Sequence, residues 1–575
     1  MKINKFSGLV LWPSFVLYGF MCSCNPKSDM VFINAKVITV DSLFSIHEAI
    51  AIKHDKIIHL GTTEEILRTT NSNSKVYDLK GKTIIPGIYE GHVHPISASK
   101  SEYSRPLPDL NTIADLLNWI DKEVKTKKKG EWIIHPKLFP TRLMEARYPT
   151  LEELDSVAPE NPLFLNGSYA AMVNTKALQV SDINQNLEYQ GIAKDEVTKK
   201  MTGYIKRSGF KLLNFGEPNV MSREQRIDAL CRMFEHYNQV GITSICIGSG
   251  NPKSLDLIKK LRKSGELTIR VFYNMSAPFS PHGSQSEIRE ALSNFNYKTG
   301  DGDEWIKVGS LKVFVDGGIL TGTAFLREPW GVKATEVFGI EDPNYLGILK
   351  FSKDELVQTI KLAEEFGWKF AAHATGGGAV DTLLSAFETV DSTNQINGKR
   401  HSIIHGNFYD QQAITRMNKL GIYAEIQPAW YYEDADMINY VLDEEQARFF
   451  QPYRSMIESN ITLNGGSDHM AKYNSYKSIN PYNPFLSMWT MITRKTKRDN
   501  VYNSNESISR YEALKTFTIN NAKLSFEEDI KGSLEVGKLA DMIVLSDDIL
   551  TCPVDDIRNI KVFRTIIGGK VVFQR

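Results

Sequence analysis

Thr83-Ile84-Ile85-Pro86-Gly87-Ile88-Tyr89-Glu90-Gly91-His92-Val93-His94 decides how the chain is read. A β-branched apolar run ends on two histidines one residue apart. Residues i and i+2 of a strand point to the same face, so both imidazoles can reach one ion. Two histidines at this spacing also arise by chance. The remainder of the chain settles their meaning.

Downstream, strand and helix patterns alternate. Helical spacing runs over 223–240, 254–263, 353–366, 410–420 and 449–458, with Gly241, Gly367 and Gly421 as stop signals. Strands are expected at 242–247, 267–275, 306–315, 369–374, 400–405, 422–427 and 461–465. With the strand before His92 these make eight serial βα-type units. The fold class is therefore α/β, a closed (β/α)8 barrel with its chemistry at the strand C-termini. The first and second strands are separated by far more than a βα loop of about 2–6 residues. An insertion is expected there, at about 105–215. Alternating patterns over 31–40 and 48–60 at one end, and 540–545 and 563–573 at the other, predict a small β-sandwich built from both chain ends. The expected division is a leader at 1–23, sandwich parts at 24–83 and 526–575, and the barrel with its insertion over 84–525.

Composition narrows the function. Lys+Arg and Asp+Glu are 68 each, so no basic field marks a nucleic-acid binder. The 42% hydrophobic share supplies a large core, and five Cys in 575 residues make no disulfide framework. Lys2 and Lys5 precede an apolar stretch from Phe6 to Met21 that meets Cys22-Ser23-Cys24. That is an export signal, and its ending resembles a bacterial lipoprotein signal in which Cys24 is lipidated. The expected location is the cell envelope, periplasm or outer membrane, with a cleaved soluble periplasmic or secreted form as the alternative. Membrane attachment is expected only through that lipid. The sequence does not set the oligomeric state, for which a homodimer is the one candidate.

His92 and His94 have company. Lys312 falls on the fourth expected strand, His373 near the end of the fifth, His405 at the end of the sixth, and Asp468 just after the eighth. Taken singly, Lys312 reads equally as a buried ion-pair partner, His373 and His405 as packed core residues, and Asp468 as a helix cap. Six such residues at barrel-strand ends point instead to a metal site.

The sequence resembles the amidohydrolase superfamily, specifically the family 3 branch that includes N-substituted formamide deformylase. The resemblance rests on 34–41, Pro86 to His94, Leu311 to Gly317, His373-Ala374-Thr375-Gly376, Ile403-Ile404-His405, Gln427-Pro428, Gly466-Ser467-Asp468 and the ending Gly532 to Asp541. It implies that His92 and His94 bind one metal and His373 and His405 a second. Lys312 would carry a bridging carbamate, and Asp468 would bind metal and move protons. Zinc suits such imidazole and oxygen donors, with other divalent metals as alternatives. One ion with unmodified Lys312 remains a second arrangement.

The chain departs from the family pattern at Tyr169, where a histidine is usual, and at Gly376-Gly377-Gly378, where Gly-Asp-Arg is common. Tyr169 and Gly377 are therefore expected at the substrate, with the glycines leaving it room; Gln427, of the Gln427-Pro428 pair, and Trp430, a candidate apolar wall after the seventh expected strand, are expected there as well. The expected function is hydrolysis of a non-peptide carbon–nitrogen bond in a small molecule. Alternatives are an ester, lactone or N-acyl amino acid hydrolase, or a non-catalytic ligand-binding surface lipoprotein.

Overall fold

The computed structural model describes residues 27–195, 197–216, 221–340 and 342–575. The expected leader and Cys24 lie outside the described residues. Eight parallel strands form one sheet in chain order: β1 (Ile88–Val93), β2 (Ile242–Gly250), β3 (Arg270–Ser276), β4 (Ile306–Phe314), β5 (Phe370–Ala374), β6 (Ser402–His405), β7 (Tyr423–Ile426) and β8 (Leu463–Gly465). This is the expected (β/α)8 barrel. It closes through the segment after β8: the Asp468 amide donates to His92 O at 2.8 Å, and the His94 amide donates to His469 O at 2.9 Å. Asn521 seals the same seam, its side-chain amide donating to Tyr89 O and to Gly465 O. A side chain on Gly91 would strike both Gly465 O and Asn521.

Local chemistry explains the outer helices. The helix Arg223–Gln239 starts with a capping box between Ser222 and Gln225 and buries Leu230, Met233, Phe234 and Tyr237. Gly421 ends the helix Gln411–Leu420 in the left-handed conformation, φ 65°, that glycine adopts without penalty.

Two further sheets of four and six strands draw on both chain ends; in the six-stranded one, Met542–Leu545 pairs antiparallel with Thr83–Pro86. Between them pack Phe32, Val37, Ile50, Ile84, Met542 and Val544. The single strand expected over 31–40 is instead two. Asn34 takes φ 50°, and Met30–Ile33 and Lys36–Ile38 enter different sheets. The strand expected over 48–60 is a hairpin that turns at His54, φ 54°. The helix expected over 449–458 begins only at Tyr453, because Pro452 has no amide with which to continue a helix and Gln451 is left-handed. Between β1 and β2 lies a five-stranded sheet containing the hairpin Leu163–Asn166 and Ala170–Val173. Its tip carries Ser168 and Tyr169. Arg270 at the start of β3 grips Asp541 with two hydrogen bonds, 2.6 and 3.2 Å, tying the terminal sheet to the barrel.

Candidate metal centre

The barrel places His92, Lys312, His373 and His405 on β1, β4, β5 and β6, with His94 and Asp468 just past β1 and β8. All six therefore lie at its C-terminal mouth. One ligand atom each from His92, His94 and Asp468 lies within 4.8 Å of the others. Asp468 Oδ1 is 3.1 Å from Nε2 of His94 and 3.7 Å from Nε2 of His92. Two imidazoles and a carboxylate converging on one point form a donor set suited to a divalent metal. His92 and Asp468 are buried, while His94 is partly open to the cleft. A side chain on Gly248 would overlap the His92 ring, and one on Gly466 would strike the His92 backbone amide and Cβ, so glycine at both positions lets His92 sit where it does.

The remaining residues continue the ring of imidazoles. His405 stacks edge-on against His92 at 5.5 Å between centroids, and against His373 at 4.6 Å. His405 Nδ1 is held by Gln427 Oε1 at 2.8 Å, which leaves Nε2 as the free donor atom. His373 is oriented the other way. Its Nε2 faces Gly317 O at 2.8 Å and Thr375 Oγ1 at 3.0 Å, leaving Nδ1 free. His373 thus stands outside the trio but one ring away from it.

The electrostatics suit metal binding. Burial works to raise the Asp468 carboxyl, but a hydrogen bond from His94 and the fields of His94, His405 and His92 hold it well below the carboxylate range. It is an anion at neutral pH. Burial pulls His92 down and His405 down to about 3, so these imidazoles are neutral and can donate lone pairs. Burial also brings the Lys312 ammonium down to about 8. Lys312 has no carboxylate at ion-pair distance among the described residues, which removes its reading as an ion-pair partner. Asp468 and His405 both sit at positive φ, 57° and 73°, conformations that surrounding structure must enforce. Asn480 helps at Asp468 by donating its side-chain amide to the Asp468 carbonyl at 2.8 Å.

Three residues not expected at the site support it. Glu425 on β7 takes a hydrogen bond from Ser402 at 2.6 Å and turns its other oxygen toward Nδ1 of His92. Glu90 on β1 accepts the Ser467 amide at 2.6 Å; burial raises its carboxyl to about 8, so it is a neutral acid that anchors the turn into Asp468. Asp316 accepts the amides of Phe325, Thr375 and Gly376, pinning the loops after β4 and β5 together. A charged residue inside an otherwise apolar strand was the legible signal for Glu90 and Glu425.

The expected substrate contacts divide. Tyr169 reaches the site, its hydroxyl 3.5 Å from Nε2 of His373. Trp430 lies 6.3 Å from the His405 ring and 6.5 Å from Phe139, with the Arg142 guanidinium over both Trp430 and Phe139. Gln427 does not face the cleft with free atoms; its amide is spent on His405 and on Glu425 O. The room expected over Gly376–Gly378 is filled. A side chain there would meet Phe325 O at 2.1 Å, Arg327 Nη1 at 2.5 Å and Leu326 O at 2.6 Å, so these glycines admit a neighbouring segment rather than a substrate.

A barrel with this cluster at its mouth is an arrangement suited to metal-assisted hydrolysis. The chain belongs to the amidohydrolase family, whose profile matches residues 75–573, and it is a hydrolase acting on carbon–nitrogen bonds. It is 26% identical to the N-substituted formamide deformylase of Arthrobacter pascens over 564 residues, covering 95% of this chain and 98% of that one. It is 24% identical to Protein LONG AFTER FAR-RED 3 of Arabidopsis thaliana over 564 residues, covering 95% and 92%. Among solved structures, a metal-dependent hydrolase from Pyrococcus horikoshii OT3 shares the fold with a TM-score of 0.68 at 23% identity, covering 92% of this chain and 99% of that one.

Proposed function

We propose that the protein hydrolyses a non-peptide amide bond of a small molecule at a metal centre built on His92, His94 and Asp468. The observation that carries this reading is the convergence of those three ligand atoms at the barrel mouth. His405 through Nε2 and His373 through Nδ1 are the donors for a second ion. A zinc-type ion in this donor set supplies Lewis acidity toward the amide carbonyl and a water of lowered pKa.

The chain's own groups do the rest. Asp468, an anion at neutral pH, accepts a proton from the attacking water and returns it to the departing amine nitrogen. Its backbone is fixed at both the amide and the carbonyl, which keeps the carboxylate in place. Tyr169 remains a neutral phenol because burial raises its pKa, so its hydroxyl can donate to substrate beside His373. Trp430 and Phe139 shield the reaction from water. Lys312 has a neutral amine fraction near pH 8. We assign it a carbamate, formed when Nζ attacks the carbon of CO2 and releases a proton, which converts a repelling cation into an oxygen donor.

The experiment is a panel of small amides, N-acyl amino acids, esters and lactones, run with metal-loaded protein and with Asp468→Asn. Turnover of amides that disappears in Asp468→Asn is expected. Ester or lactone turnover alone would move the substrate class, and no turnover in the parent would favour a ligand-binding role. The export reading rests on Lys2 to Cys24 of the sequence. Fractionation of parent and Cys24→Ser cells, with the variant released from the membrane, would support lipid anchoring.

A further inference from the structure

Three cationic side chains meet at one hairpin tip of the insertion, Lys137 and Arg207 from the insertion itself and Lys350 from the segment between β4 and the helix Lys353–Glu365. Lys137 Nζ donates to Ser168 Oγ. Arg207 Nη1 donates to Ser168 O at 3.3 Å. Lys350 Nζ lies 4.8 Å from the centre of the Tyr169 ring. None of the three has a carboxylate at ion-pair distance among the described residues. The acids nearby are occupied: Asp316 by three backbone amides, and Asp468 by His94.

Lys137 is the deepest of these cations. It borders a cavity of about 240 Å³ between the insertion and the loop after β8. The other cations on that lining each have a partner: Arg142 with Asp434, Lys472 and Lys477 with Asp109, and Lys497 with Glu433. Among the described residues Lys137 is the cation on that lining with no carboxylate at ion-pair distance. Burial brings it down to about 8, opposed by the field of Asp468 and reinforced by that of Arg207, so it is still a cation at neutral pH. A cation held in a cleft without a counter-charge is costly unless something that enters the cleft supplies one.

We propose that Lys137 binds a carboxylate on the substrate, so that the enzyme's substrates are amides bearing an acidic group, of the N-acyl amino acid class. The carboxylate would sit beside the Ser168–Tyr169 tip, with Lys137 as its principal contact and Arg207 and Lys350 adding a favourable field. The amide would then reach Tyr169 and the trio. This rests on the proposed amide hydrolase reading and deepens it.

The test separates the two. Binding of hexanoate and of the matching neutral hexanamide is measured by calorimetry on the metal-loaded parent, Lys137→Met and Lys137→Arg, with melting curves to establish folding. The parent should bind hexanoate more tightly than hexanamide. Lys137→Met should weaken hexanoate by about 10- to 100-fold while leaving hexanamide unchanged, and Lys137→Arg should retain the preference. Equal hexanoate affinity in the parent and Lys137→Met would place the carboxylate on the metal and overturn the proposal, as would absence of any preference in the parent. Turnover of N-acetyl amino acids against their carboxamides should show the same loss in kcat/KM for the acidic member only. Intact binding selectivity without turnover would count against the hydrolase reading and leave the anion site standing.

Discussion

Nδ1 of His92 and Oε2 of Glu425 face each other at 3.6 Å inside the barrel, and neither atom has a hydrogen-bond partner among the described residues. The contact is electrostatic at that separation, and it aims the opposite nitrogen, Nε2, at Asp468. A carboxylate behind a metal-binding imidazole fixes its tautomer and raises its basicity. Glu425→Gln should therefore weaken metal binding by about 10- to 100-fold while the fold survives. A metal titration checks this, and unchanged affinity would remove Glu425 from the site.

Gly248 guards the other side of the same ring. A methyl group there would lie 2.2 Å from Nε2 of His92. Gly248→Ala should displace the imidazole and lower metal content, at a stability cost of about 1–3 kcal/mol for overpacking. Metal analysis beside a melting curve reads both effects; full metal occupancy in the variant would contradict the geometry.

The metal-free protein should lose stability on mild acidification. His92, His373 and His405 all have folded pKa values pulled below 6.5, chiefly by burial. Below 6.5 the unfolded chain takes up protons that the folded chain refuses, so their contribution is fully present above that pH and is lost as pH falls through it. Asp468, also lowered, adds a loss below 3.8. Melting temperatures of the metal-free form between pH 8 and 5 should decline below about 6.5; a flat profile would show that these rings are not buried as described.

The link between the terminal sheet and the barrel is open to a direct test. Asp541 is buried against Arg270 and also accepts the Gly568 amide at 2.8 Å. Asp541→Ala strands the guanidinium, which costs about 3–5 kcal/mol for a buried pair. Denaturant unfolding measures it, and a loss under about 1 kcal/mol would mean the pair behaves like a surface ion pair.

The barrel was legible because its units are local: a periodic helix, a glycine stop and an apolar strand each announce themselves within a few residues. His92, His94, Lys312, His373, His405 and Asp468 stood out because each is a chemically odd residue at a strand end. The partners of those residues were harder to read. Glu425 meets His92 only because β7 and β1 curve around one interior, and Lys137 reaches Ser168 only through the folded insertion. The glycines misled for the same reason, since whether a missing side chain leaves space depends on what packs there, and Phe325 to Arg327 fill it. Asn34 and His54 hid their turns because non-glycine residues rarely take positive φ.

The most direct test of the account is bound metal per chain in the purified protein lacking its first 23 residues, beside Asp468→Asn and His94→Ala. The parent is predicted to hold divalent metal tightly and both variants to lose it, with their folds intact by circular dichroism. A parent that takes up no metal after reconstitution, or variants that hold as much as the parent, would contradict the metal centre at His92, His94 and Asp468.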